Sequence, residues 1–220
     1  RGLEKAMFEA LPTFEGAFSL VVMDQGRVIG ARDPHGFRPL CLGELPEGGW
    51  VLASETAALD LVGATFRRDV EPGEMVVIDA TGVRSLRPFP SPEPRLCIFE
   101  YVYFARPDSR LHGQTVHAAR RRLGSTLAKE HPADADVVVP VPESGIPAAQ
   151  GYSAESGIPY ADGLVKNRYI GRTFIEPSQT MRDRGIRIKL NPIPETLAGK
   201  RVVLVDDSIV RGSTTRQLVD

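Results

Sequence analysis

Val202-Val203-Leu204-Val205-Asp206-Asp207-Ser208-Ile209-Val210-Arg211-Gly212-Ser213-Thr214-Thr215 is the stretch that decides how the second half of this 220-residue chain folds. Its first four residues are all apolar, which suits a buried strand. The strand delivers two adjacent carboxylates to its carboxyl end. A turn at Gly212 follows, and Ser213, Thr214 and Thr215 open a helix. Ligands of open parallel sheets sit at the carboxyl ends of strands. Free N–H groups at a helix start, with hydroxyls beside them, suit a phosphate. Paired carboxylates accept hydrogen bonds from vicinal sugar hydroxyls and hold Mg²⁺ directly or through water. Together they read as a site for a phosphorylated ribose rather than a bare phosphate.

Two other readings compete. A nucleoside-triphosphatase also places acids after an apolar strand, but it needs Gly-x-x-x-x-Gly-Lys-[Ser/Thr]. The only Gly-Lys here is Gly199-Lys200, followed by Arg201, so that motif is absent. A capped helix behind a core strand, with solvated acids, is the bland alternative. The coincidence of acid pair, glycine and three hydroxyls at one strand end argues against it.

Working outward, Val137–Val141 is a second apolar strand, and it ends in the turn Pro142-Glu143-Ser144-Gly145. Thr115–Glu130 carries Val116, Ala119, Leu123 and Leu127 on one helical face, and a helix is expected at about Pro147–Ser156. Tyr160–Val165 reads as a further strand. Alternation of strand and helix predicts a parallel sheet. Lys166–Lys189 holds seven cations against two anions, a local charge of +5, while the whole chain carries −1. The overall balance disfavours nucleic-acid binding. A solvated basic loop is the plain alternative.

The first part has another pattern. Phe14–Met23, Arg27–Ala31, Phe37–Leu42 and Trp50–Ala53 read as strands, with a hairpin turn at Asp24-Gln25-Gly26. Ser54 is expected to cap a helix over Glu55–Val62. Met75–Asp79 and Val83–Leu86 pair around Thr81-Gly82. Prolines 88, 90, 92 and 94 forbid helix or central strand and mark a linker. The expectation is therefore α+β followed by α/β, with one domain over 1–94 and a second over 95–220. Two cysteines, Cys41 and Cys97, cannot make a disulfide framework, which makes a reducing compartment the default. No apolar run reaches the ~18 residues of a membrane span. The four histidines match no zinc or triad spacing. Arg1 is not a start methionine, and Thr214–Asp220 reads as a helix cut in its second turn, so the chain is expected to be a piece of something longer.

With those residues in view, Val202–Thr215 resembles the phosphoribosylpyrophosphate (PRPP) signature of type I phosphoribosyltransferases. The run VDDSIVRGST, Val205–Thr214, is similar to the version found in the glutamine PRPP amidotransferases. FEYVYFARPDS (Phe99–Ser109), read from its residues as an aromatic strand before a Pro turn, resembles that family too. So does KNRYIGRTFI (Lys166–Ile175). The resemblance implies the C-terminal half of an N-terminal-nucleophile glutaminase domain, built of antiparallel sheets with helices. A type I phosphoribosyltransferase parallel-sheet domain, truncated at its end, would follow it.

The implied reaction converts PRPP, glutamine and water to 5-phosphoribosylamine, glutamate and pyrophosphate, the first step of de novo purine synthesis. By the same resemblance, PRPP is held by Asp206, Asp207, Ser208, Ile209, Val210, Arg211, Gly212, Ser213, Thr214 and Thr215. Mg²⁺ is held by Ser144, Asp206 and Asp207. Lys166, Tyr169, Ile175 and Lys189 belong to a closing loop and the ammonia path, whose charge suits a departing pyrophosphate. Arg32–Leu40 and Ser54–Asp60 are scaffold. The family's nucleophile, an N-terminal cysteine, is absent, so no catalytic residue is assigned, and glutaminase activity is not expected of this chain alone. Some members carry the first ligand of a [4Fe–4S] cluster at the position of Cys97; a buried thiol is the equal alternative. The implied protein is cytoplasmic and homo-oligomeric, with no nucleic-acid or membrane partner. A non-catalytic PRPP-binding regulator and a nucleobase salvage transferase remain the rival functions.

Overall fold

A computed structural model describes residues 2–167, 190–209 and 212–219. Contacts divide the chain into two units, Arg1–Val116 and His117–Asp220. The first unit opens with helix α1 (Leu3–Ala10) and a 3₁₀ turn (Leu11–Thr13). Strands β1 (Ser19–Met23) and β2 (Arg27–Arg32) follow, then β3 (Cys41–Glu44), β4 (Trp50–Ala53), helix α2 (Thr56–Leu61), β5 (Thr65–Asp69), β6 (Met75–Asp79) and β7 (Gly82–Leu86). They form two antiparallel sheets, ordered β1-β2-β6-β7 and β4-β3-β5. The β1–β2 turn is fixed by Asp24, whose carboxylate accepts the N–H groups of Gly26 and Arg27, each at 3.0 Å.

Side chains alternate faces along a strand, and β6 shows why the sheets stack. Met75 and Val77 pack with Ile29, Ala31 and Leu11 against Leu3 and Met7 of α1. Val76 and Ile78 face the other way, onto Leu40, Leu42 and Leu52. On β3, Leu42 joins that inter-sheet core while Cys41 points outward to Leu59 of α2. The unit is thus layered helix, sheet, sheet, helix. Each fully buried Val, Leu or Met contributes about 1.5–3 kcal/mol.

Several local expectations change. The strand expected over Phe37–Leu42 begins only at Cys41 and runs to Glu44. Thr65–Asp69 is a strand that the sequence reading left out. Glu55, not Ser54, occupies the cap position of α2, and it makes no side-chain cap bond there. Phe99–Ser109 is no strand: Glu100–Phe104 winds into a single wide helical turn. Buried partners explain the last change. The Tyr101 hydroxyl donates to the Leu111 carbonyl at 2.8 Å, and Arg38 donates to the Glu100 carboxylate at 2.8 Å. A hairpin, β8 (Arg110–Leu111) with β9 (Gln114–Thr115), completes this region. Residues 95–116 therefore pack within the first unit, although the composition changes after Pro94.

The second unit contains α3 (Val116–Glu130), β10 (Val137–Pro140), α4 (Ile146–Ser156), β11 (Leu164–Lys166), β12 (Leu190–Pro192), α5 (Pro194–Leu197), β13 (Val202–Val205) and α6 (Ser213–Val219). As expected, β10 and β13 pair in parallel, Val137 opposite Val202 and Pro140 opposite Val205. The strand expected over Tyr160–Val165 is not continuous: Tyr160 makes a single parallel bridge to Val138, and Leu164–Lys166 belongs to a separate antiparallel pair. Val138, Val205, Ala128, Ala149 and Tyr152 make the core between this sheet and its helices. α3 and α4 meet backbone to backbone. A Cβ on Gly124 would lie 1.9 Å from the Ala148 carbonyl oxygen, and one on Gly151 would lie 1.9 Å from that of Arg121. β11 and β12 pair antiparallel, Lys166 opposite Leu190, so the two feet of the basic segment are tied together.

Candidate functional site

Because β10 and β13 run in parallel and in register, they end side by side. The Val141 N–H donates to the Val205 carbonyl at 2.8 Å, carrying the pairing one residue past the strands. The chain after β10 then folds back over the end of β13. A Cβ at Gly145 would stand 2.6 Å from the Val205 oxygen and 2.8 Å from the Val141 oxygen, so only glycine fits there. This close approach brings Ser144 onto the acid pair. Its hydroxyl donates to one carboxylate oxygen of Asp207, and the Ser208 hydroxyl donates to the other.

Asp206 is placed differently. One of its oxygens accepts the Asp207 N–H at 2.9 Å. Burial pushes its pKa above the usual carboxylate value; the Asp207 N–H works against that rise, and the neighbouring Asp207 charge adds to it. Asp206 is thus a partly buried acid short of strong donors, which is what a group awaiting a cation or hydroxyls looks like. Beyond the pair, Ile209 is exposed, Gly212 turns with φ +70°, and α6 begins at Ser213. The Arg216 N–H closes the first helical turn on the Gly212 carbonyl at 2.9 Å. Thr215 is partly buried.

Lys166 lies at the end of β11, and its ammonium stands 3.6 Å from the Glu143 carboxylate in the turn after β10. The sequence reading singled out Lys166 and Ser144 but gave Glu143 no role; its position next to Ser144 was the available signal. Val210, Arg211, Tyr169, Ile175 and Lys189 lie outside the described residues, and Ser213 and Thr214 are described only as the backbone that opens α6.

For Mg²⁺ the donor chemistry fits. Asp206, Asp207 and Ser144 offer oxygen alone, and Mg²⁺ characteristically takes one or two carboxylates with water and substrate phosphates. Among the described residues no group of three or more His, Cys, Asp or Glu forms a protein-only cage. A [4Fe–4S] cluster does not fit this chain by itself, since it takes four thiolates and the sequence has two cysteines. Cys41 is buried in β3, and burial, with the Asp69 and Glu55 charges, pushes its thiol up to about 12. Partly exposed Cys97 is the one remaining candidate ligand.

The acids of the first unit do other work. Asp33 is fully buried and accepts the N–H groups of His35 at 2.9 Å and of Phe18 and Phe37 at 3.2 Å. Arg32 beside it donates to the carbonyls of Arg38, Val70 and Gly36 at 2.7–2.8 Å. Glu55 accepts the Arg106 N–H at 2.8 Å and the Ser109 hydroxyl at 2.7 Å. These are the struts of a scaffold, as expected for Arg32–Leu40 and Ser54–Asp60.

Comparison with known proteins agrees with the two architectures. Residues 111–220 match the family described as Phosphoribosyl transferase domain, and residues 2–61 match Glutamine amidotransferase domain. The chain is similar to the amidophosphoribosyltransferase of Mycobacterium tuberculosis, 61% identical over 217 residues, covering 99% of this chain and 41% of that protein. The amidophosphoribosyltransferase of Synechococcus elongatus is 56% identical over 208 residues, covering 93% of this chain and 42% of that one. Its fold is similar to that of the glutamine PRPP amidotransferase from B. subtilis solved with ADP and GMP. The TM-score is 0.90 at 48% identity, over 100% of this chain and 48% of the other. The chain spans about two fifths of the length of the curated relatives it matches.

Proposed function

Because this chain belongs to the phosphoribosyl transferase domain family, with a glutamine amidotransferase domain before it, we propose that the protein carrying it is an amidophosphoribosyltransferase. It would move ammonia from glutamine onto C1 of PRPP, giving 5-phosphoribosylamine, glutamate and pyrophosphate at the entry to purine synthesis. The observation that carries this reading is the convergence of two strand-end loops on one carboxylate, Ser144 and Ser208 both donating to Asp207.

In this reading Asp206 and Asp207 accept hydrogen bonds from the ribose hydroxyls and keep the sugar in place as positive charge develops at C1. The turn from Ser208 to Thr215 takes the 5′-phosphate on its N–H groups and hydroxyls. Ser144, Asp206 and Asp207 would hold Mg²⁺, which when bound neutralises pyrophosphate oxygens. Lys166, with Tyr169, Ile175 and Lys189, serves the closing loop and the ammonia path. Positioning and charge stabilisation suffice, with no covalent intermediate on the protein at the ribose. Cys41 is a poor candidate for the glutaminase nucleophile, since burial and the Asp69 and Glu55 charges push its thiol up to about 12.

The reading extends to a cytoplasmic homo-oligomer, and to Cys97 as one ligand of a cluster completed by cysteines elsewhere. Iron and sulfide analysis of anaerobically purified full-length protein checks the last point; absence of both removes it. A regulator or a salvage transferase would account for the second unit and leave the glutamine amidotransferase match unexplained. The deciding experiment is ammonia-dependent phosphoribosylamine formation by full-length protein carrying Asp206→Asn with Asp207→Asn. Loss of turnover is expected, and undiminished turnover overturns the assignment.

A further inference from the structure

The turn that follows β10 carries an acid where an anion is meant to bind. The Glu143 side chain is 73% exposed, and its carboxylate stands 3.6 Å from the ammonium of Lys166, which is 37% exposed. Next to it, Ser144 is committed to Asp207. A carboxylate in this place repels a pyrophosphate unless a cation neutralises it. Glu143 and Lys166 come from separate strand ends, the turn after β10 and the last residue of β11, and no other ion pair is recorded for either among the described residues. Lys166 is also the first residue of the basic run.

We infer that Glu143 is a positioning residue that holds Lys166 as a resting counter-ion, and that the substrate's pyrophosphate displaces it. This inference rests on the reading of the site as a PRPP site. Pyrophosphate carries more charge than one carboxylate and draws Lys166 away; as pyrophosphate leaves, Glu143 takes the lysine back. The acid thus weakens pyrophosphate binding on both legs of the cycle, and product release gains from it. Since the pair is largely solvated, the effect is small: roughly two- to fivefold in a binding constant.

The experiment uses full-length protein, with calorimetric binding of inorganic pyrophosphate and steady-state kinetics with ammonia. Glu143→Gln is expected to bind pyrophosphate more tightly than the parent, and to lower the KM for PRPP, by that factor at low salt. The change appears in KM and the product constant rather than in kcat, and it fades at about 1 M salt, where the Debye length is about 3 Å. Glu143→Asp, which keeps the charge, should stay near the parent values. In a Lys166→Gln background only the direct repulsion by Glu143 remains to be relieved, so the Glu143→Gln change should have a smaller effect. The inference is overturned if Glu143→Gln binds pyrophosphate no more tightly than the parent, or if the tightening is undiminished without Lys166. If the parent protein binds neither PRPP nor pyrophosphate, the PRPP reading itself fails and this inference goes with it.

Discussion

Asp33 and Asp206 both stand just past the end of a strand, one in each unit, and the structure gives them opposite surroundings. Asp33 is fully buried, and three backbone N–H groups are satisfied by its carboxylate. Asp206 is only partly buried, has one N–H partner, and is pushed up in pKa by burial. Glu74 completes the contrast. Burial pushes it up as well, yet hydrogen bonds from Arg68, Ser85 and the Glu71 N–H outweigh that and hold it below the usual range. An acid whose partners are complete is part of the frame. An acid buried without enough partners stores acceptor capacity for something that arrives later.

The comparison can be broken most directly through activity. Asp206→Asn with Asp207→Asn should cut phosphoribosylamine formation by at least about a hundredfold, the scale of removing a group that stabilises developing charge. The melting temperature should move little, and a collapse of the fold would place these acids with Asp33. Next in size is Asp33→Ala. It strands the N–H groups of Phe18, His35 and Phe37 in a buried loop, and should cost about 2–4 kcal/mol in denaturant unfolding. A loss under about 0.5 kcal/mol would show that the loop does not depend on it.

Glu74→Gln should cost about 1–3 kcal/mol at pH 7, because it leaves Arg68 without its ionic partner. The sign of the pH effect follows from its lowered folded value. The contribution of Glu74 is present above the unfolded carboxyl value, about 4.3, and is lost as pH falls through the folded one. The variant should therefore be less sensitive to acid between about pH 5 and the folded value, and equal sensitivity would exclude Glu74 as the source. Smallest, and of opposite sign, is Asp206→Asn. A raised folded value means that the group's favourable contribution is complete below the unfolded value, about 3.9, and gone once pH has risen through the folded one. At pH 7 the charge is a burden, and its removal should add about 0.5–1 kcal/mol while activity falls. A destabilised Asp206→Asn would put this acid in the frame.

Much of this could be read along the chain. The Met75–Asp79 strand with its hairpin, the Asp24 turn and the Val202–Val205 strand are local patterns, and each appears where expected. Elements decided by distant partners were less legible. The aromatic run at Phe99–Phe104 has strand propensity, but Tyr101 and Glu100 find their partners at Leu111 and Arg38, and the segment coils. In β5, Arg67 and Arg68 hide the strand pattern, because their charges are matched by Glu44 and Glu74 from elsewhere in the fold. Glu55 left the capping of α2 unmade because its carboxylate is engaged by Arg106 and Ser109.

The order of apolar strand, acid pair, glycine and hydroxyls at Val202–Thr215 was enough, by itself, to propose a phosphoribosyl site, because the chemistry of such a site is set by neighbouring residues. The resemblance put Ser144 with the acid pair, but sequence order alone could not show Ser144 bound to Asp207, 63 positions further on, or Glu143 paired to Lys166. Nor could it separate Asp33 from Asp206. Carboxylates are identical in sequence; burial and the supply of donors distinguish them, and both are properties of packing that only the folded chain provides.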